Sequence, residues 1–547
     1  MKYKTALLTL ATAFSSSALA QNTLIKNVQG YSINNNQLVS FSAINFDENG
    51  IKALYKKGEK YQTTPDLKII DGNGKTLIPG LIDAHGHVAG YSTSLSQVRL
   101  EGTTSEQEAI ARIKAFAKAN PSLSWIKGRG WNQELWQSKS FPTAKLLDAV
   151  FPDTPVWLRR VDGHAGWANS KAMSLAGITK ETQSPNGGEI IRLADGSPSG
   201  VFIDNAMALI SKEVPSPSKT ELTSIMINGM KDLAKQGLTN VHDAGATPLE
   251  LEIYKELAAK DKLPIRISAM LYLPSDNWQT ILDKGPVTQH ERLFSFNSIK
   301  IQADGALGSR GAALIEDYSD KHGHRGLMLH SRDKLVSMME YAMDKGFQVN
   351  THAIGDKANK DVLDLYETLI AKTKTRDKRH RVEHAQVLRL ADIPRFKALN
   401  VIPSMQATHA TSDKNMAETR VGPDRILGAY AWRSLLDSGA IIAAGSDFPV
   451  ESANPFFGLH ASITRQDHKN EPEGGWKPSE KMSRKEALKS FTIDAAYAGH
   501  QEQVTGSLEV GKQADFIIID NNYFKQDETS IWKNKVLQTW VAGKQVY

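Results

Sequence analysis

The 547-residue sequence predicts an α/β fold: a (β/α)8 barrel of the TIM type, a small composite β-sandwich domain made from both chain ends, and an insertion subdomain after strand one. Three observations lead there. Eight short apolar runs recur through the centre of the chain, several of them separated by segments of helical spacing. That rhythm belongs to parallel strands joined by helices. Strand-and-turn texture appears near both ends, in LVSFSAINF between NNN and DENG, and again in GSLEVGKQADFIIID and VLQTWVAGKQVY. Neither tail alone can bury a sheet face, so the two are expected to share one. Finally, about 150 residues separate the first strand from the second, too many for a loop.

Taken in order, residues 1–20, MKYKTALLTLATAFSSSALA, combine Lys2 and Lys4, an apolar run and Ala18-Leu19-Ala20, the pattern of a secretory signal peptide cleaved after about Ala20. The run is too short for a permanent anchor, so export to the periplasm or secretion is expected. Residues 21–76 are read as the N-terminal part of the β-domain and 498–547 as its C-terminal part. Residues 77–497 are read as the barrel, with the insertion at about 100–220 covering its mouth. The barrel strands are sought in TLIPGLIDAH, GLTNVHDAG, LPIRISAML, SIKIQAD, FQVNTH, RHRVEH, NVIPSMQ and AIIAAGSD. Helical patterns such as SKTELTSIMINGMKDLAKQG and RDKLVSMMEYAMDKG lie between several of them.

Composition narrows the function classes. The chain has no cysteine, which excludes disulfides, thiolate nucleophiles and cysteine zinc ligands. Setting aside Lys2 and Lys4, 64 basic residues face 60 acidic ones with no basic run, so nucleic acid is not an expected partner. No later stretch is apolar for the ~18 residues a membrane helix needs, so no membrane association is expected after signal cleavage. The expected partner is a small-molecule substrate, and assembly into a homo-oligomer stays open.

The chemistry stands at the strand ends. Strand one closes on His85-Gly86-His87, strand four carries Lys300, strand five ends in His352, strand six in His384 and strand eight in Asp447. Alternate residues of a strand point the same way, so His85 and His87 can reach one cation at about 2.0–2.1 Å. A single histidine at such a place is more often a hydrogen-bonded core residue. Five strands delivering nitrogen or carboxylate donors to one rim argue for a metal site. Lys300 sits on a strand buried on both faces, where an ammonium is costly unless paired or neutralised. After reaction with carbon dioxide its amine would be an anionic carbamate able to bridge two metals.

HGH, Lys300, HAIGD, VEHAQ and GSDFPV, with KIQADGALGSR, MQATHATSD and the tail GSLEVGKQADFIIID, together resemble the metal-dependent amidohydrolase superfamily, in the branch of the N-substituted formamide deformylases (amidohydrolase family 3). The resemblance spans nearly the whole chain after residue 20, with the motifs in the family's order. It implies two divalent metals per chain, usually zinc. His85, His87 and Asp447 would hold one, His352 and His384 the other, and carboxylated Lys300 would bridge them; a single-metal variant stays open. The implied reaction is hydrolysis of an amide-type carbon–nitrogen bond, other than a peptide bond, by water activated at the metal. Asp447 would carry the proton to the leaving nitrogen. The same site could instead open an ester or lactone, and an exported binding protein without turnover is the reading from another class.

Several residues remain as weaker candidates. His164 in the insertion either approaches the substrate or fixes its own loop, His409 and Asp413 after strand seven touch the substrate or stand behind the ligands, and Arg310 after strand four either holds an anionic group or lies at the surface; His164, His409 and Arg310 are taken as the substrate contacts. Trp131, Trp136 and Trp167 are read first as the core of the insertion and second as a pocket lining. His242 is expected at the rim without binding metal. His322, His324 and His330 are read as surface or substrate-loop residues.

Overall fold

The computed structural model describes residues 22–547 apart from 63, 122, 216 and 290–292; the signal-peptide reading of residues 1–20 lies outside them. Eight parallel strands form the central barrel: β1 (Leu81–Gly86), β2 (Leu238–Ala246), β3 (Arg266–Leu273), β4 (Phe294–Gln302), β5 (Gln348–Ala353), β6 (Arg381–His384), β7 (Ile402–Gln406) and β8 (Ala443–Gly445). Each pairs in parallel with the next in chain order. The last seam, β8 to β1, is closed by side chains and strand-end backbone. Ser446 Oγ donates to the Asp83 carboxylate at 2.6 Å, and Asp447 N donates to His85 O at 2.7 Å. Closure therefore depends on residues beside the candidate site.

Helices cover the barrel because their starts are strongly encoded. Ser218 with Glu221 and Thr247 with Glu250 make reciprocal capping boxes for the helices Lys219–Lys235 and Pro248–Ala259, the second with proline in its first turn. Arg332–Asp344 and Asp356–Thr373 pack outside β4, β5 and β6, burying Leu335, Met339, Val362 and Tyr366.

The run TLIPGLIDAH, expected as one strand, is two. Thr76–Pro79 leaves the barrel and pairs antiparallel with Phe516–Ile519 of the distant C-terminal part. Gly80 is the break: a Cβ there would lie 2.2 Å from Thr239 Oγ1, and its N–H is taken by Asp515 O at 2.9 Å. The boundary of the barrel therefore falls at Gly80, not between 76 and 77. The second sheet contains Thr23–Asn34, Gln37–Asp47, Gly50–Tyr55, Lys68–Asp71 and Thr76–Pro79 with Phe516–Ile519, Val536–Val541 and Lys544–Gln545. It is one continuous sheet that curls on itself. Phe46 and Trp540 are four strands apart, about 19 Å on a flat sheet, yet their ring centroids lie 5.2 Å apart.

The insertion has its own six-stranded sheet between Val98 and Asp204. Trp131, Trp136 and Trp167 are its core, with centroids 6.2 to 6.4 Å apart. Their indole N–H groups are spent on Leu158 O, Thr103 O and Thr143 O. Among the described residues no helix is long and apolar enough to cross a membrane.

Barrel and second sheet are joined by a buried ion pair. Arg266 of β3 donates from Nε and Nη2 to Asp515 Oδ2 at 3.1 and 3.0 Å, and Asp515 also accepts from Thr505 Oγ1 at 2.8 Å and Ala542 N at 2.6 Å. Asp515→Ala leaves the Arg266 guanidinium buried without its counter-charge. The expected loss is about 3–5 kcal/mol, read as a lower denaturant midpoint; an unchanged midpoint would show that the two sheets do not depend on this pair.

Candidate metal centre

The donors converge where the strands end. The ligand atoms of His85, His384 and Asp447 lie within 4.8 Å of one another, all three residues buried. His87 Nε2 is 2.9 Å from Asp447 Oδ1, and His85 Nε2 is 3.6 Å from the same oxygen. Lys300 Nζ reaches His85 Nε2 at 3.1 Å. The His352 ring stands 4.6 Å from His384, and His384 is 4.7 Å from His85, centroid to centroid. The six predicted ligands thus occupy one rim.

Two of them arrive through a strained backbone. His384 follows Glu383 on β6, so continued extension would point it the other way. Its φ of +73° turns it back to the rim, and Asp447 after β8 does the same at φ +61°. Left-handed conformations outside glycine cost about 1–3 kcal/mol and persist where the surroundings enforce them.

The electrostatics suit a divalent cation. Burial, with Lys300 beside it, pushes His85 down to about 3. Burial and the neighbouring His352 hold His384 well below its ordinary value, and burial lowers His352 as well. These imidazoles are neutral, as ligation requires. Burial opposes ionisation of Asp447, but the hydrogen bond from His87 and the neighbouring His85 and His409 hold it below the usual carboxylate range. Burial pushes the Lys300 amine down to about 8 against the pull of Glu383 and Asp447. Neutral imidazoles around an ionised carboxylate are a divalent-metal donor set.

The ligands are themselves held. His85 Nδ1 makes a short hydrogen bond to Glu383 Oε2, and Arg381 Nε lies 2.7 Å from Glu383 Oε1. His384 Nδ1 meets Gln406 Oε1 at 2.7 Å, which leaves Nε2 for a metal. His352 Nε2 faces Asp304 Oδ1 at 3.3 Å, and Asp304 is fixed by the N–H groups of Ala313, Ile354 and Gly355. Glu383 and Asp304 escaped the sequence reading. The signal was present for Glu383: Arg381 and Glu383 alternate on a strand that should be apolar on both faces.

Other expectations are placed differently. His164 does reach the mouth. Its Nδ1 is 2.6 Å from Asp204 Oδ1, its ring 5.5 Å from His352, and it lines both cavities that open on the centre. His409 Nε2 lies 3.6 Å from Asp447 Oδ2. Asp413 accepts from Tyr430 Oη at 2.8 Å and Gln386 Nε2 at 2.9 Å and lines the smaller cavity. Arg310 is not turned to the centre: its guanidinium is bound to Asp320 at 2.9 Å, and it lines neither cavity. His242 is a correction. It is 1% exposed inside the barrel, its Nδ1 3.1 Å from Arg381 Nη1, because β2 runs on to Ala246. His324 Nε2 is 2.9 Å from the carbonyl of Arg310, which settles its loop, while His322 is exposed. The larger cavity measures about 620 Å³ and is lined by both barrel and insertion.

A family model described as "Amidohydrolase family" matches residues 68–547. The chain belongs to the amidohydrolase family. It is 36% identical over 489 residues to Protein LONG AFTER FAR-RED 3 of Arabidopsis thaliana, covering 87% of this chain and 82% of that protein. It is 32% identical over 497 residues to the putative amidohydrolase YtcJ of Bacillus subtilis, covering 89% and 92%. It is 27% identical over 493 residues to the N-substituted formamide deformylase of Arthrobacter pascens, covering 88% and 90%. A crystal structure of an uncharacterized metal-dependent hydrolase from Pyrococcus horikoshii superposes with a TM-score of 0.73 at 25% identity, covering 93% of this chain and 99% of that one. As an amidohydrolase family member the protein is a metal-dependent hydrolase of carbon–nitrogen bonds with a divalent metal site.

Glu383→Gln keeps the shape of the side chain and removes the charge that orients His85. Metal affinity is expected to fall about 10–100-fold, measured by competition with a chromophoric chelator. Unchanged affinity would mean that His85 does not need this carboxylate to bind.

Proposed function

We propose that the protein hydrolyses an amide-type carbon–nitrogen bond, other than a peptide bond, of a small molecule, releasing a carboxylic acid and an amine. The observation that carries this is the ionised Asp447 carboxylate, held between His87 and His409 at the mouth of a 620 Å³ cavity. That size suits a small molecule. The deformylase relative, similar over 88% of this chain, supports an amide rather than an ester.

In this reading His85, His87 and Asp447 would hold one zinc ion and His352 and His384 a second, with Lys300, as its carbamate, available to both. The lowered amine of Lys300, at about 8, supports the last assignment, since carbon dioxide reacts with the neutral form and a proton is released. When bound, the metal supplies a Lewis acid for the carbonyl and brings the pKa of water to near 7. The chain moves the proton: Asp447 takes it from the attacking water and returns it to the leaving nitrogen. Glu383 keeps His85 in one orientation meanwhile, and His164, on its Asp204 anchor, faces the substrate from the insertion. We further propose that the chain is exported, on the strength of residues 1–20.

Two tests follow. Mass spectrometry of the purified protein should find two metals per chain, fewer in Lys300→Ala; one metal, unchanged in the variant, would refute the bridged pair. In excess zinc, Asp447→Asn should lower kcat on an N-formyl amine by about 10²–10⁴-fold. A matched ester cleaved faster than the amide would replace the amide reading with an esterase, and no turnover of either would favour a binding protein.

A further inference from the structure

The insertion contributes two arginines to the wall of the larger cavity, and among the described residues neither has a carboxylate within ion-pairing distance. Arg129 and Arg159 are register partners on the parallel strands Ile126–Trp131 and Val156–Arg160, so both side chains leave the same face. Arg99 pairs in register with Arg129 on the next strand and extends the row outward, but its Nε has Glu101 at 3.6 Å. Arg129 is 7% exposed; its Nη2 donates to Val161 O at 2.9 Å, while its buried Nε has no partner. Arg159 has only the carbonyl of Gly163, at 3.0 Å. Among the described residues no carboxylate lies within ion-pairing distance of either.

This is not for want of carboxylates in the same cavity. Asp162 is held by Arg160 and the N–H of His164, Asp204 by His164, and Asp243 by Tyr254 Oη at 2.6 Å and Val88 N at 3.1 Å. Glu250 accepts from Thr247 N and Asp447 faces His87, while Asp204 keeps one buried oxygen, Oδ2, without a partner; none of these five acids lies within ion-pairing distance of the two cations, which are left over. Burial and then the like charge of Arg159 push Arg129 down to about 10, so both guanidiniums stay charged at neutral pH side by side. Arg129, Arg159 and Asp447 line the same cavity, which ties the pair to the reaction centre. Adjacent guanidiniums with open donors bind carboxylate oxygens in a fixed geometry.

We infer that Arg129 and Arg159 bind the anionic end of the substrate, which is therefore an amide carrying a carboxylate remote from the bond that is cut. This rests on the amide-hydrolase reading for the reaction, though not for the binding of the anion. The insertion, in this assignment, selects the substrate while the barrel performs the chemistry.

The test uses zinc-loaded full-length protein and the pair 6-(formylamino)hexanoate and N-formylhexylamine, which differ only in the terminal group. The carboxylate should be preferred about ten- to hundred-fold in kcat/KM, mainly through KM. That preference should vanish in Arg129→Gln and in Arg159→Gln and partly survive in Arg159→Lys. Arg159 is solvent-exposed, so its variant separates binding from folding. No preference in the native protein, or a preference kept in both glutamine variants, would overturn the inference. If neither amide is cut, the reaction reading fails on its own. Calorimetric titration of the zinc-loaded protein with glutarate then decides: binding weakened in Arg159→Gln supports the anion site, and absent or unaltered binding refutes it.

Discussion

Glu383 carries a charge into the closed interior of a barrel, and the layers around it are arranged to hold that charge in place. Arg381, two residues earlier on β6, lies against it and also donates to Ala84 O and, at 2.7 Å, to Ser404 Oγ. Below them His242 touches the same guanidinium; above, His85 closes the series. Burial alone would favour a protonated Glu383, but the charge of Arg381 and the hydrogen bond with His85 hold it ionised. A buried carboxylate of this kind is tolerable only when fully paired, and it then fixes its partners firmly. His85 is thereby presented with Nε2 toward the rim.

Strain and closure meet at the same place. β8 is only three residues long, and its seam with β1 relies on Asp83, Ser446 and Asp447. Burial lifts Asp83 to about 7 although Ser446 and the His85 N–H donate to it. The turn that places Asp447 beside His87 is the turn that closes the barrel. Ligand placement and barrel closure share one set of hydrogen bonds, which explains how a left-handed aspartate is maintained there.

The insertion makes a different contribution. Its tryptophan core is apolar and self-contained, so its sheet can present a polar edge to the mouth without weakening itself. His164, Arg129 and Arg159 all stand on or beside that sheet. A barrel supplies a common reaction centre, and the substrate is discriminated by what is laid over it.

The sequence by itself determined the eight barrel strands, the outer helices and the residue types at the strand ends. Those signals are local: an apolar run, a capping box, two histidines one residue apart. Even the pairing of distant tails was legible, since neither could bury a face alone. Tertiary structure decided what depends on which strand lies beside which. Gly80 breaks a run that reads as one strand because Thr239 leaves no room for a side chain. Arg310 turns to Asp320 and away from the centre because its loop folds back on itself. Glu383 matters through His85, 298 positions away in the chain. Arg129 and Arg159 are neighbours only through strand register. Periodicity tells a side chain which face to take, but contact across elements is set by packing, and packing is not written in any one segment.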